Sequence, residues 1–218
     1  MSEFFSMLPE LSASVLVAYI LGALPLAVQI SRRLGVDIFS VGTGLTGAAN
    51  VLRNVGKAPG LFVLLGDMGK GALAVIVAGF IGVEGPWLLF PLSAVIAGQW
   101  KSVFTGFRGG DGLATLGGGT IALFPVVGTI SVAVGMVVIL GGQKMRYTSL
   151  MGVVMGYTTL VILSMAYGYD TVLALGNGGV AGLVLAYALL GHRRRRHAAA
   201  WDEIEETNGA PESSGTRF

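Results

Sequence analysis

No cysteine occurs in the 218 residues, which excludes structural disulfides, thiolate metal sites and a cysteine nucleophile. Charge is nearly as scarce. Only 12% of the residues are Asp, Glu, Lys or Arg, about half the share usual in soluble domains. The leader Met1 to Ser12 contains Glu3 and Glu10 and no Lys or Arg, so it lacks the basic start of a secretory signal peptide and is expected to be retained. What fills the chain instead is apolar: 53% of residues are hydrophobic, and the mean hydropathy is +0.75. Glycine is abundant at 35 residues, without a collagen period and mostly inside apolar runs. That distribution suits helices packed closely in lipid, where small residues let backbones approach.

Apolar stretches near 11–31, 59–83 and 86–100 approach the roughly 20 residues needed to cross a bilayer. From Gly112 to Gly142 the apolar run is too long for one span, and Pro125 near its middle divides it into short helices over 112–124 and 126–142. Further spans are expected near 149–167 and 171–191. The fold class is therefore all-α, a polytopic integral membrane protein of about seven transmembrane helices. Placing the N-terminus outside and the C-terminus in the cytoplasm puts Arg32, Arg33, Arg53, Lys57, Lys101, Arg108, Lys144, Arg146, Arg193 to Arg196 and Arg217 on the inner side. Of all fourteen Lys and Arg residues, Lys70 alone then falls inside a span. Residues 1–197 read as one membrane domain and 198–218 as a polar, disordered cytoplasmic tail that begins as a frayed helix. The basic run from His192 to His197 between them suits anchoring against anionic headgroups.

The inner loops concentrate glycine, hydroxyl groups and isolated cations. The first reads Ser40-Val-Gly-Thr-Gly-Leu-Thr-Gly-Ala-Ala-Asn50-Val-Leu-Arg53. Glycines let backbone amides approach an anion, Thr43 and Thr46 offer hydroxyls, and Arg53 can hold two phosphate oxygens. It is not a Walker loop, since no Gly-Lys-Ser/Thr follows. The second joins Arg108, Gly109, Gly110 and Asp111 to a helix start that runs through Thr115, an arrangement that favours bound anions. The third, Lys144-Met-Arg146-Tyr-Thr-Ser149, adds another pair of cations. Three such loops on one membrane face suggest a shared phosphate site. Within the second span, Asp67 and Lys70 lie three residues apart and so share a helix face; a structural and a functional ion pair stay equally open.

At these loops the chain resembles the bacterial acyl-phosphate:glycerol-3-phosphate acyltransferase family, small seven-span enzymes of the inner membrane, as a divergent member. Gly42 to Arg53 is similar to that family's first-loop pattern, Asp67-Met-Gly-Lys70-Gly71 to its second-span Asp-x-x-Lys-Gly, and Gly106 to Thr115 to its second loop. Arg146-Tyr-Thr-Ser149-Leu150 and His192-Arg193 match the remaining signatures. Departures fall at Thr43, Leu45, Ala49, Gln99 and Asp111, where the family has Ser, Asn, Thr, His and Lys. The last puts a carboxylate where a phosphate-facing cation is expected, a change on the order of several kcal/mol at a partly desolvated site.

The resemblance implies transfer of a fatty acyl group from acyl phosphate to the 1-hydroxyl of glycerol 3-phosphate, giving lysophosphatidic acid for phospholipid synthesis. Such a donor is already activated, so the protein has chiefly to position and neutralise two anions and to stabilise the developing oxyanion. Arg53 and Arg108 are the expected phosphate clamps and Gly109 and Gly110 the amide donors. Asp111 and Thr115 complete the substrate-binding loop, and Thr43, Asn50 and Ser149 are expected to orient substrate oxygens. Ser149 and His192 are the candidates for catalysis, His192 by binding phosphate or moving a proton. No metal or cofactor is implied. The expected partners are membrane lipid, the two substrates and an upstream acyl-phosphate-forming enzyme, with no nucleic acid. Two rival readings stay open: a catalytically lapsed homologue that binds phospholipid or a phosphorylated metabolite, and a small membrane transporter.

Overall fold

The computed structural model describes the backbone of residues 2–142 and 148–209 and the side chains of residues 7–142 and 148–190. Every regular element among these residues is helical: α1 (Ser2–Ala23), α2 (Leu26–Arg33), α3 (Ala48–Asn54), α4 (Lys57–Ile81), α5 (Leu89–Trp100), α6 (Leu113–Leu123), α7 (Pro125–Gly141), α8 (Thr148–Ala166) and α9 (Thr171–Gly209). Four segments are long and apolar enough to cross a membrane, namely Met7–Arg33, Lys57–Ile81, Thr148–Ala166 and Thr171–Leu190. The protein is thus an all-helical membrane protein. Large apolar side chains such as Phe80, Val137 and Met165 face outward, as they do toward lipid.

Proline sets two of the boundaries. Pro125 has no amide proton to donate and opens α7 at its first turn, while Phe124 before it turns inward and is 1% exposed. The expected division of the 112–142 run therefore occurs at that proline. Pro25, the N-cap of α2, interrupts the helix between α1 and α2 inside the Met7–Arg33 segment, which contains the expected 11–31 span. This break leaves the last carbonyls of α1 without helical donors. Side chains from elsewhere take them: Ser102 Oγ donates to Ala23 O at 2.5 Å and Lys70 Nζ to Leu24 O at 2.6 Å.

The expected 86–100 span divides into a 3-10 turn at Gly85–Leu88 and the 12-residue α5. At 1.5 Å per residue α5 is about 18 Å long, well short of the roughly 30 Å hydrocarbon layer. At the other end, α9 continues as helix past His197 to Gly209. The expected tail boundary therefore does not end the helix, and residues 210–218 lie outside the described ones.

Glycine brings the helices together in reciprocal pairs. Gly22 of α1 rests on the Val95 carbonyl of α5, and Gly98 of α5 on the Tyr19 carbonyl of α1; a Cβ would lie 1.9 and 2.2 Å from those oxygens. Gly71 of α4 meets the Thr115 carbonyl of α6, and Gly118 of α6 meets the Met68 carbonyl of α4, at 1.9 and 1.8 Å for the same hypothetical Cβ. Gly135 and Gly152 repeat the arrangement between α7 and α8. Backbones in direct contact leave no room for any larger residue.

Candidate active site

The first loop, between α2 and α3, is built around one side chain. Asn50 is 4% exposed. Its Nδ2 donates to the carbonyls of Ile38, Val41 and Leu45 at 3.3, 3.1 and 2.9 Å, and its Oδ1 accepts from the Thr43 amide and Asn54 Nδ2. These bonds occupy both ends of the amide. Asn50 is therefore the post around which the loop folds. Gly42 lies against it at φ +57°, where a Cβ would come within 2.3 Å of Asn50 Oδ1; the loop closes only with glycine there. Thr43 is half-buried beside it, and Arg53 is exposed in the last turn of α3, with no ion pair among the described residues.

The second loop runs from Lys101 to Gly112. Arg108 is exposed, and its guanidinium carbon lies 3.9 Å from the centre of the Phe39 ring in the first loop, close enough for cation–π attraction. Thr105 Oγ1 donates to the Arg108 carbonyl. Gly109 and Gly110 are buried. The Gly110 amide donates to the Gln99 carbonyl at 2.9 Å, and the Gly109 carbonyl accepts from the Thr46 amide at 3.3 Å. The Gly110 N–H thus bonds within the protein. The Thr46 bond docks the first loop directly on the second.

Asp111 occupies the position where a lysine was expected, and its carboxylate has local work. Oδ1 accepts from the Leu113 amide at 3.2 Å, at the start of α6, where a negative charge suits the helix dipole. Trp100 Nε1 donates to the Asp111 carbonyl at 2.8 Å while the Trp100 ring stacks on Tyr187 of α9, with centroids 4.4 Å apart. A Cβ on Gly47 would sit 3.8 Å from Asp111 Oδ2, so the carboxylate lies beside the first loop. Thr115 is fully buried in the α4–α6 contact, and its hydroxyl has no hydrogen-bond partner.

Beneath both loops lies the Asp67–Lys70 pair, at 2.8 Å. Lys70 Nζ also donates to Leu24 O at 2.6 Å and to Gln99 Oε1 at 3.1 Å, which uses all three ammonium protons. Gln99 Nε2 donates back to Asp67 Oδ2 at 3.0 Å. No proton of Lys70 is left for a ligand, so the pair is a structural fixture. It forms the floor of a small polar recess, whose walls include Leu24, Thr46, Ser102 and Arg108. Sequence reasoning marked Gln99 only as a departure. The available signal was a lone amide in the apolar run Pro91 to Trp100, facing the span that holds the two charges.

Of the remaining candidates, Ser149 alone has a described side chain. Ser149 stands exposed in the first turn of α8, with no hydrogen bond to either glycine loop. His192 is on α9, beyond the residues whose side chains are described, and Lys144 and Arg146 fall in the undescribed 143–147 segment. A second, apolar cleft runs between α6, α7, α8 and α9, lined by residues including Leu113, Leu116, Met136 and Leu160. Its Leu113 end adjoins the second loop.

Known proteins share this fold. A solved structure of PlsY, described as an integral membrane glycerol 3-phosphate acyltransferase in its glycerol 3-phosphate form, superposes with a TM-score of 0.68 at 29% identity, over 88% of this chain and 92% of that one. A lysophosphatidic acid form of PlsY gives 0.66 at 28% identity, with the same shares covered. The glycerol-3-phosphate acyltransferase of Rubrobacter xylanophilus is 44% identical over 142 residues, 64% of this chain and 69% of the relative. That of Trichormus variabilis is 34% identical over 199 residues, 83% and 84% of the two chains. Since the glycerol-3-phosphate acyltransferase model matches residues 12–199, nearly the whole described helical body, this chain belongs to the glycerol-3-phosphate acyltransferase family.

Proposed function

We propose that the docked loops bind glycerol 3-phosphate and a long-chain acyl phosphate and transfer the acyl group between them. The observation that carries this reading is the junction itself: the Thr46–Gly109 bond and the Arg108–Phe39 contact join the two glycine loops into one surface, with Arg53 and Arg108 both exposed. The two solved PlsY forms are named for glycerol 3-phosphate and for lysophosphatidic acid, the acceptor and the product of this reaction.

In the proposed step the 1-hydroxyl oxygen of glycerol 3-phosphate bonds to the acyl carbonyl carbon and the bond from that carbon to the phosphate oxygen breaks. The hydroxyl proton leaves with inorganic phosphate. Arg53 and Arg108 neutralise the two phosphates, Thr43 orients a substrate oxygen and the Gly109 amide faces the developing oxyanion. Ser149 and His192 act at the same surface, His192 as a phosphate ligand or proton carrier. The apolar cleft that begins at Leu113 would hold the first carbons of the acyl chain.

The working topology is seven spans with the N-terminus outside and the C-terminus in the cytoplasm of a bacterial inner membrane. The basic residues of the loops and the run Arg193 to Arg196 support it. Residues 1–197 are the membrane domain in this reading, and residues 198–218 a cytoplasmic tail. Acyl phosphate would come from an upstream enzyme that phosphorylates an activated acyl group. One observation favours a rival, a lapsed homologue that only binds phospholipid: Asp111 stands beside Gly47 of the first loop at the position where the family pattern has a lysine.

The test uses the purified protein in lipid with labelled glycerol 3-phosphate and either palmitoyl phosphate or palmitoyl coenzyme A. The expected result is one lysophosphatidic acid per inorganic phosphate released, from acyl phosphate only, with kcat/KM lowered about 100-fold in Arg53→Ala. Absence of product from palmitoyl phosphate, or product from the thioester alone, contradicts the proposal.

A further inference from the structure

We infer that Gln99 is a positioning residue for acyl transfer, which fixes the register of both glycine loops from below without touching substrate. The inference rests on the acyltransferase reading of those loops. Gln99 is 6% exposed, and it is held at both ends of its amide: Oε1 accepts from Lys70 and Nε2 donates to Asp67. Turning the amide over would set oxygen against carboxylate and N–H against ammonium, two repulsions in place of two attractions. The ion pair therefore dictates which way the amide faces.

The same residue's backbone carries that constraint to the site. Its carbonyl accepts the Gly110 amide at 2.9 Å. A Cβ on Gly109 would lie 2.1 Å from the Gln99 carbonyl oxygen, and one on Gly110 would lie 3.1 Å from Gln99 Nε2, so both glycines rest directly on Gln99. From Gly109 the register passes to the first loop through the Thr46 amide. Lys70 ties the network in turn to Leu24 at the α1–α2 break.

A chain of contacts thus runs from the charges inside α4, through Gln99, to two loops whose glycines have little stiffness of their own. A displacement of about 1 Å between two bound reactants can cost on the order of 100-fold in rate. Loss of the Gln99 amide bonds should therefore appear in turnover more than in binding.

The test compares wild type, Gln99→Met and Gln99→His in lipid. Methionine keeps the volume, leaves the Asp67–Lys70 pair in place and removes both amide bonds. The expected result for Gln99→Met is a fall in kcat of about 30-fold or more, with KM for glycerol 3-phosphate changed less than about threefold. A neutral imidazole can donate to Asp67 through one nitrogen and accept from Lys70 through the other, so Gln99→His should recover most of that loss. Hydrogen–deuterium exchange on the same proteins without substrate should show the Thr46 amide and residues 105–112 exchanging about tenfold faster in Gln99→Met, with α1 and α4 unchanged. Should Gln99→Met fail to fold, Gln99→Asn, whose amide is drawn back by one methylene, is expected to show the same exchange signature with a milder loss of kcat.

Unchanged loop exchange, an unaltered kcat, or a raised KM at full kcat would overturn the inference, the last because it marks direct contact with substrate. The exchange arm needs no turnover. A wild type that transfers no acyl group yet shows the loop signature would refute the acyltransferase reading and leave the loop linkage standing.

Discussion

The two glycine loops meet at one surface, yet they are held in opposite ways. The first is folded by Asn50, whose partners Ile38, Val41, Leu45 and Asn54 all lie within twelve positions of it. The second is fixed through Gln99, whose side-chain partners Asp67 and Lys70 are 32 and 29 positions away on another helix. A loop built on near neighbours keeps its shape if the helices around it shift. One built on a buried ion pair moves with them. The site is therefore one self-contained loop docked on another that reports the packing of α4 against α5.

The largest expected effect breaks the long-range half of this comparison. Lys70→Met leaves the Asp67 carboxylate buried without its cation, which should cost about 3–5 kcal/mol. Thermal unfolding in detergent should show that loss, and the double variant Asp67→Leu/Lys70→Met should recover most of it. Recovery fails if Lys70 matters chiefly for its bond to Leu24. A smaller effect is expected in the local half, where Asn50→Ala removes the post of the first loop. Its cost should be about 1–3 kcal/mol, since some of the freed carbonyls can turn to water. Faster amide exchange should stay within residues 37–54; spread into residues 105–112 would show that the first loop also supports the second.

This contrast explains what could be read along the chain. The junction's components were legible, because glycines, hydroxyls and cations cluster in short segments and the division at Pro125 follows from a missing amide proton. The job of Asn50 was not, because a buried amide that braces a loop and one that faces a substrate look alike in sequence. Gln99 escaped for a different reason: its meaning depends on Asp67 and Lys70, and only the close approach of α1, α4 and α5 brings the three together. The break at Pro25 lay hidden inside a continuous apolar run. Thr115 was equally hard to read, since nothing in the motif says that its side chain is fully buried while its carbonyl meets Gly71.

Asp111 is the sharpest test of function, because its carboxylate caps α6 at the place where a phosphate-facing lysine was expected. The decisive measurement is lysophosphatidic acid formation from palmitoyl phosphate and glycerol 3-phosphate by wild type and Asp111→Lys, side by side. An active wild type is predicted, with Asp111→Lys altering KM for glycerol 3-phosphate by about tenfold or less. A silent wild type beside an active Asp111→Lys would contradict the account and mark a chain that keeps the family's fold without its reaction.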